Sequence, residues 1–444
     1  MISCLRIKPK IWTILQLPYK QGVLKENITK EAIGLSPIAS LIMGQNIMIG
    51  ISKLYCGTVE PSDALRYGRI SSRLPSHLLQ FSIDKKPVVV WNVTRACNLK
   101  CVHCYAHAVE KSQEKELSRK EALGLIDDLA EFGVPVILFS GGEPLIRSDL
   151  IHLASYAVDK GMRAVISTNG TLITEEKANS LKKIGLSYVG VSLDGMEEIN
   201  DRFRMKKGAF QEALNGIRHC QDAGLKVGLR FTINRMNMKE IPFIFDILEE
   251  MNIPRICFYH LVYSGRGSEL INQDLDHDET RRIVDLIMER TKDLSDRGKT
   301  KEVLTVDNHA DGPYVYLKMV KEKNPRAEEV LELLKMNEGN SSGRGIGCIS
   351  WDGSVHADQF WRHHSFGNVL AKPFSRIWED RSDPLMTRLK EKKKYVKGRC
   401  STCRWLDICA GNFRVRAEAV SGDIWAPDPA CYLSDDEISK SQFF

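Results

Sequence analysis

From Pro87 onward, short apolar runs rich in β-branched residues alternate with longer stretches whose apolar positions recur every three or four residues. The first run, Val88–Val93, predicts a buried strand. Ser118-Arg-Lys-Glu121 then forms a capping box ahead of Ala122, Leu123, Leu125, Ile126, Leu129 and Phe132, which share one helical stripe. The same alternation predicts strands over 136–140, 163–167, 187–193, 226–233 and 255–262. Helices are predicted between them over 148–159, 174–184, 208–223 and 238–251, and one over 276–297 completes the series. Six strand–helix units with parallel crossovers make an α/β fold, a partial (β/α)6 TIM-like barrel. Such barrels carry their chemistry at the C-terminal ends of the strands.

The pattern changes at both ends. Residues 1–47 have weak periodicity and read as an N-terminal extension or an over-called start, with Met48 a natural beginning. Residues 48–86 read as a lead-in of loop and short helix, and 87–300 as the core barrel. The alternation is lost after about residue 300, so 301–345 reads as a linker with a helix near 326–336 and a Gly-rich stretch from Ser342. The segment 346–444 is loop-rich and cysteine-bearing, and Ile349–Val355 reads as a hairpin around an Asp352-Gly353 turn.

Composition narrows the class. Apolar content of 43% and charged content of 27% are those of a globular protein, and a net charge of +6 is too diffuse to argue for nucleic acid. No apolar run approaches the roughly 18–20 residues of a membrane span. Lys8 and Lys10 precede a short apolar run that stops at Pro18, which does not read as a signal peptide. Seven of the 12 cysteines fall in two tight groups, Cys97, Cys101 and Cys104, then Cys400, Cys403, Cys409 and Cys431. That spacing suggests metal or cluster chemistry in a reducing cytoplasm, not a secreted disulfide framework. Cys4, Cys56, Cys220, Cys257 and Cys348 read as small buried hydrophobes.

Each predicted strand end carries polar chemistry. The first delivers C-x3-C-x2-C, three thiolates that can hold three irons of a cubane cluster and leave the fourth open. A three-cysteine zinc site completed by His103 or His107 is the alternative reading of the triad alone. The second strand ends in Ser140-Gly141-Gly142-Glu143-Pro144, where glycines permit close backbone approach. Ser167-Thr168-Asn169-Gly170, Ser192-Leu-Asp194-Gly195 and Arg230 follow on the next strands, so polar groups converge on one mouth.

Together, the cysteine loop, Gly-Gly-Glu-Pro and Ser-x-Asp-Gly over about residues 87–262 resemble the radical S-adenosylmethionine (SAM) superfamily. The resemblance implies that Cys97, Cys101 and Cys104 ligate a [4Fe–4S] cluster whose open iron chelates SAM. It further implies that Gly141, Gly142 and Glu143 hold the SAM amine, Ser192 and Asp194 its ribose or carboxylate, and Arg204 its carboxylate. His103 stands where many relatives have an aromatic. Reductive C–S cleavage to a 5′-deoxyadenosyl radical is the implied chemistry, with a ferredoxin or flavodoxin as electron donor.

The second cysteine group is a closed four-thiolate site, for which structural zinc competes on spacing alone. Behind such a barrel it resembles the SPASM and twitch extensions, which implies one auxiliary [4Fe–4S] cluster, since only Cys348 lies upstream for another. The motifs Tyr55–Gly68, Val306-Asp-Asn-His-Ala-Asp-Gly312, Gly345–His356, Phe360-Trp361 and Ala426–Tyr432 resemble the radical SAM enzymes that tailor sirohaem-derived tetrapyrroles. One branch removes two acetates from 12,18-didecarboxysirohaem to give iron-coproporphyrin III in haem biosynthesis, and another, leading to haem d1, removes propionates. Peptide maturases share the barrel and auxiliary cluster but carry an extra N-terminal domain and more cysteines. For an iron tetrapyrrole with several carboxylates, Arg266 and Arg362 are candidate carboxylate partners. His260, His309, His356 and His363 are candidate iron ligands or acid–base groups, with His309 and His356 the preferred pair, and Trp351, Trp361 and Tyr263 are candidate stacking partners.

Overall fold

Ten strands, numbered in chain order, form one sheet among the described residues: β1 (Met48–Gly50), β2 (Val88–Thr94), β3 (Val136–Gly141), β4 (Arg163–Thr168), β5 (Tyr188–Ser192), β6 (Val227–Ile233), β7 (Arg255–His260), β8 (Glu302–Val306), β9 (Ile346–Ile349) and β10 (Val355–His356). The computed structural model describes residues 48–58 and 86–439, which lie in one compact unit, Leu41–Phe444. The expectations for residues 1–47, for Cys4 and for most of the lead-in, including Tyr55–Gly68 beyond Thr58, fall outside the described residues.

Strands β2 to β8 lie side by side in chain order and pair in parallel. The helices between them follow the apolar stripes. In Arg119–Phe132 the expected capping box is present, and Ala122, Leu125, Ile126 and Leu129 face the sheet. Leu150–Asp159, Glu175–Lys183, Ala209–Asp222, Ile241–Glu250 and His277–Asp296 return the chain to each next strand. The hairpin also forms, with Val355 opposite Ile349 and His356 opposite Cys348.

Several elements depart from the sequence reading. The alternation does not end near residue 300: Glu302–Val306 adds β8 beside β7, followed by the helix Asp311–Lys321. β1 closes that edge of the sheet antiparallel to β8, and β9 pairs in parallel with β2 at the other. Both segments are too short for a periodicity to register, and their pairing fixes them. The helix Glu197–Arg204 also lies where the apolar pattern predicts none. It is polar along most of its length and buries only Asn200, Phe203 and Arg204.

Candidate active site

The register between β2 and β3 shifts between Asn92 and Thr94, and the chain leaves the sheet there as the cysteine loop. Arginines grip that loop by its carbonyls. Arg266 donates to Cys101 O (2.8 Å) and Ala108 O (2.9 Å), and Arg362 donates to Ala106 O (2.8 Å) while lying 4.0 Å over the Trp351 ring. The sulfurs receive N–H groups: Leu99 N on Cys97 Sγ (3.4 Å), Ala108 N on Cys104 Sγ (3.4 Å) and Arg204 Nη1 on Cys101 Sγ (3.5 Å). Burial pushes the Cys97 thiol up to about 12 and raises Cys101, against the pull of Arg204. Without a bound cation these groups stay protonated, so cluster assembly must release their protons.

The Gly-Gly-Glu segment packs against the root of this loop. Gly142 N donates to Thr94 O and Glu143 N to Ala96 O, each at 2.8 Å. A Cβ on Gly142 would overlap the Ala96 carbonyl oxygen and lie 2.7 Å from its carbon, so the glycine is required by neighbouring backbone. The Glu143 carboxylate is fully buried and accepts from Leu145 N (3.1 Å), Thr168 Oγ1 (2.7 Å) and Asn169 N (2.8 Å). It braces the end of β4. Arg204, at the end of its short helix, pairs with buried Asp194 at 2.5 Å, and His103 Nε2 lies 3.4 Å from the same carboxylate oxygen. Burial opposes the Arg204 charge, but Asp194 and the Cys101 sulfur hold it protonated.

These elements surround one cavity with about 1080 Å³ of empty space, open at its mouth. Cys97, Cys101 and Cys104 line it together with Gly141, Gly142, Ser192 and Arg204, and β6, β7 and β8 add Arg230, His260 and Asp307. The Arg230 guanidinium lies 4.4 Å from the Tyr259 ring, and His260 Nε2 is 2.9 Å from Asp311 Oδ2.

The second group, Cys400, Cys403, Cys409 and Cys431, lines a separate void of about 420 Å³ with Asp428 and Asn412. Burial raises the Cys409 thiol, and the nearby Cys431, Cys403 and Cys400 sulfurs raise it further. A single zinc ion with bonds of about 2.3 Å would draw its sulfurs to roughly 3.8 Å from one another. Among the described residues only His363, His364 and Glu418 place three ligand atoms within 4.8 Å, so neither cysteine group is that tight. Sulfurs that converge on a void while standing farther apart suit a cubane, whose irons occupy different corners. The Cys97–Cys101–Cys104 set, with its N–H···S bonds and open cavity, fits a [4Fe–4S] cluster and SAM.

Several expected roles change. Glu143 and Asp194 do not line the cavity, because their carboxylates are spent on Thr168–Asn169 and on Arg204. His356 has both ring nitrogens engaged, by Ser350 Oγ (2.9 Å) and His364 O (2.7 Å), and lines neither cysteine cavity. His309 is buried, stacked on Phe413 at 6.3 Å between ring centroids, and lines neither. His363 lies at the surface beside Glu418 (2.9 Å). Arg266 and Arg362 hold the cysteine loop instead of a substrate carboxylate. Trp351, Trp361 and Tyr263 are core, Tyr263 donating to Asp274 at 2.6 Å. Cys348 is buried in β9, where Asn92 Nδ2 donates to its sulfur at 3.4 Å. Asp307, in the same Val306–Gly312 motif as His309, lines the cavity where the histidine does not; the sequence carries no signal that separates the two.

A family profile for the Radical SAM superfamily matches residues 91–248. Over 394 residues the chain is 68% identical to Fe-coproporphyrin III synthase of Methanosarcina barkeri, covering 88% of this chain and 99% of that protein. It is 41% identical over 360 residues to Pre-heme d1 synthase of Dinoroseobacter shibae (80% and 88% covered). It is 32% identical over 349 residues to AdoMet-dependent heme synthase of Nitratidesulfovibrio vulgaris (78% and 91%). In fold it is similar to Streptococcus suis SuiB bound to precursor peptide SuiA, with a TM-score of 0.63 at 19% identity over 84% of this chain and 82% of that one. It is similar also to anSMEcpe with bound AdoMet and a peptide, with a TM-score of 0.59 at 17% identity over 78% and 94%. The cysteine loop, the cavity beside it and the 68% and 41% identity to curated relatives place the chain in the radical SAM superfamily, to which it belongs.

Proposed function

We propose that this radical SAM enzyme removes the two acetate side chains of 12,18-didecarboxysirohaem to give iron-coproporphyrin III, a step of haem biosynthesis. The observation that carries this reading is 68% identity along 99% of a protein named Fe-coproporphyrin III synthase. Cys97, Cys101 and Cys104 would hold the [4Fe–4S] cluster, which when bound supplies one-electron cleavage of SAM. Gly141, Gly142, Ser192 and Arg204 line the cavity beside those sulfurs and would seat the SAM. Arg204 is held in place by Asp194, and Glu143 fixes the turn that shapes this wall. Leu99, Leu138, Leu261, Val262 and Phe360 give the cavity apolar sides, which exclude water from a reactive carbon radical. Arg230 is a cation on the far wall for a substrate carboxylate.

The four C-terminal cysteines would hold one auxiliary [4Fe–4S] cluster, with a ferredoxin or flavodoxin as external donor, in the cytoplasm. In keeping with this, no helix among the described residues is long and apolar enough to cross a membrane. The 41% identity to Pre-heme d1 synthase keeps propionate removal from the same class of tetrapyrrole as a second reading. Anaerobic incubation with didecarboxysirohaem, SAM and reductant, followed by mass spectrometry, decides. Loss of two acetate-sized fragments is expected; loss of propionate-sized fragments moves the assignment to the second reading, and an unchanged tetrapyrrole overturns both.

A further inference from the structure

Asp307 is the first residue after β8 and lines the catalytic cavity. Its backbone is left-handed, with φ 67°, a conformation that costs a non-glycine residue about 1 kcal/mol or more and clusters at functional sites. Its side chain is 1% exposed and its Oδ1 has no hydrogen-bond partner. The backbone is over-determined: Arg416 Nη2 donates to Asp307 O at 2.6 Å, and Asn308 on the next position is tied to Asn412 and Ala430. A carboxyl oxygen held rigidly in a strained conformation, buried and unsatisfied beside a cavity, is a group kept for a ligand.

We propose that Asp307 is a substrate-recognition residue that donates a hydrogen bond, as the neutral acid, to a carboxylate side chain of the tetrapyrrole. This rests on the reading of the substrate given above. The charged and titratable groups around Asp307 agree with a shared proton. Burial pushes it up to about 7, against the pull of Arg416 on the C-terminal segment; Asp358, beyond β10, adds to the rise, and Arg230 on β6 and His260 on β7 oppose it. Tyr259 on β7 also faces it. Two carboxyl groups meeting in a buried site retain one proton between them, and the resulting hydrogen bond is charge-assisted. Arg230 then stands nearby to balance the remaining negative charge.

The test is anaerobic equilibrium binding of didecarboxysirohaem to the cluster-loaded enzyme, read from the tetrapyrrole absorption without turnover, with SAM affinity measured in parallel. Asp307→Asn keeps the shape, tolerates the left-handed backbone and still offers a donor. Asp307→Gly removes the carboxyl and fits φ 67° without strain. Asp307→Gly is expected to bind the tetrapyrrole about ten- to hundredfold more weakly, as for loss of a hydrogen bond to a charged group. SAM affinity and iron content should be unchanged. The wild-type affinity should fall as pH rises through about 7, by up to tenfold per unit. Asp307→Asn should stay flat across that range. Wild-type tetrapyrrole affinity in Asp307→Gly overturns the inference while leaving the substrate reading intact. An equal loss of SAM affinity overturns it too, because the carboxyl then faces the cosubstrate. Failure of the wild-type enzyme to bind the tetrapyrrole overturns the substrate reading and the inference with it.

Discussion

Replacing Gly142 by alanine should disable the cysteine loop without touching a sulfur. The added Cβ would lie 2.7 Å from Ala96 C and 2.8 Å from Arg95 O, both backbone atoms with no rotamer to yield. Comfortable contact between carbon atoms is about 3.5–4.0 Å, so the two segments must part by about 1 Å. That movement stretches the Gly142 N–Thr94 O and Glu143 N–Ala96 O bonds, now 2.8 Å each, beyond useful length. Two buried hydrogen bonds at about 0.5–1.5 kcal/mol each and an overpacking cost of about 1–3 kcal/mol give roughly 2–6 kcal/mol in all. The strain falls on the root of the loop that carries Cys97. Reconstituted anaerobically, Gly142→Ala should therefore lose about half of its iron and sulfide, the share of one of two like clusters, together with SAM binding. Gly124→Ala is the control: Gly124 is exposed in the helix Arg119–Phe132 with nothing within 4 Å of an added Cβ. It should keep all its iron and gain about 0.5–1 kcal/mol. Wild-type iron content and SAM affinity in Gly142→Ala would refute the reasoning.

Three further outcomes follow from the C-terminal segment. Cys431→Ala should lose the auxiliary share of iron and keep SAM binding; full iron content by metal analysis counts against a cluster there. Cys348→Ala should keep wild-type iron, because that sulfur is occupied by Asn92 inside β9, and a fall would make it a ligand. Arg416→Met strands the Asp428 carboxylate, buried with its partner at 0% side-chain exposure, and should cost about 3–5 kcal/mol in urea unfolding. A midpoint shift equivalent to less than about 1 kcal/mol would show the pair to be far more hydrated than its burial implies.

Much of this architecture is legible along the chain, and what is not has identifiable causes. The parallel strands β2 to β7 and their helices are long enough for periodicity to speak, and caps such as Ser118 and Thr174 fall where the pattern puts them. β1 spans three residues and β9 four, and both are fixed by pairing with strands far away in sequence. Within the site, the cysteine spacing already describes the chemistry of the loop. Glu143, Asp194, Arg266 and Arg362 read equally well as ligand-binding groups, and only the structure shows which backbone or arginine each one serves. The histidines mislead for the same reason. A ring whose nitrogens are both occupied, as in His356, has the same letter as one lining a cavity, as His260 does.

The segment Asp307–His309 ties the wall of the catalytic cavity to the C-terminal segment. Asp307 O, together with Leu261 O, accepts from Arg416, whose guanidinium also makes paired bonds of 3.0 and 2.9 Å to Asp428. Asp428 in turn lines the second cysteine void and accepts from Phe413 N. Asn308 donates to Ala430 O, beside Cys431, and accepts from Asn412, while His309 N donates to Asn412 Oδ1. Asn412 follows Ala410 and Gly411 in a run of three left-handed residues immediately after Cys409. The wall of the catalytic cavity at β8 and the turns that carry Cys409 and Cys431 are thus one hydrogen-bonded body. Bidentate contacts from a planar guanidinium leave little freedom for one to move without the other.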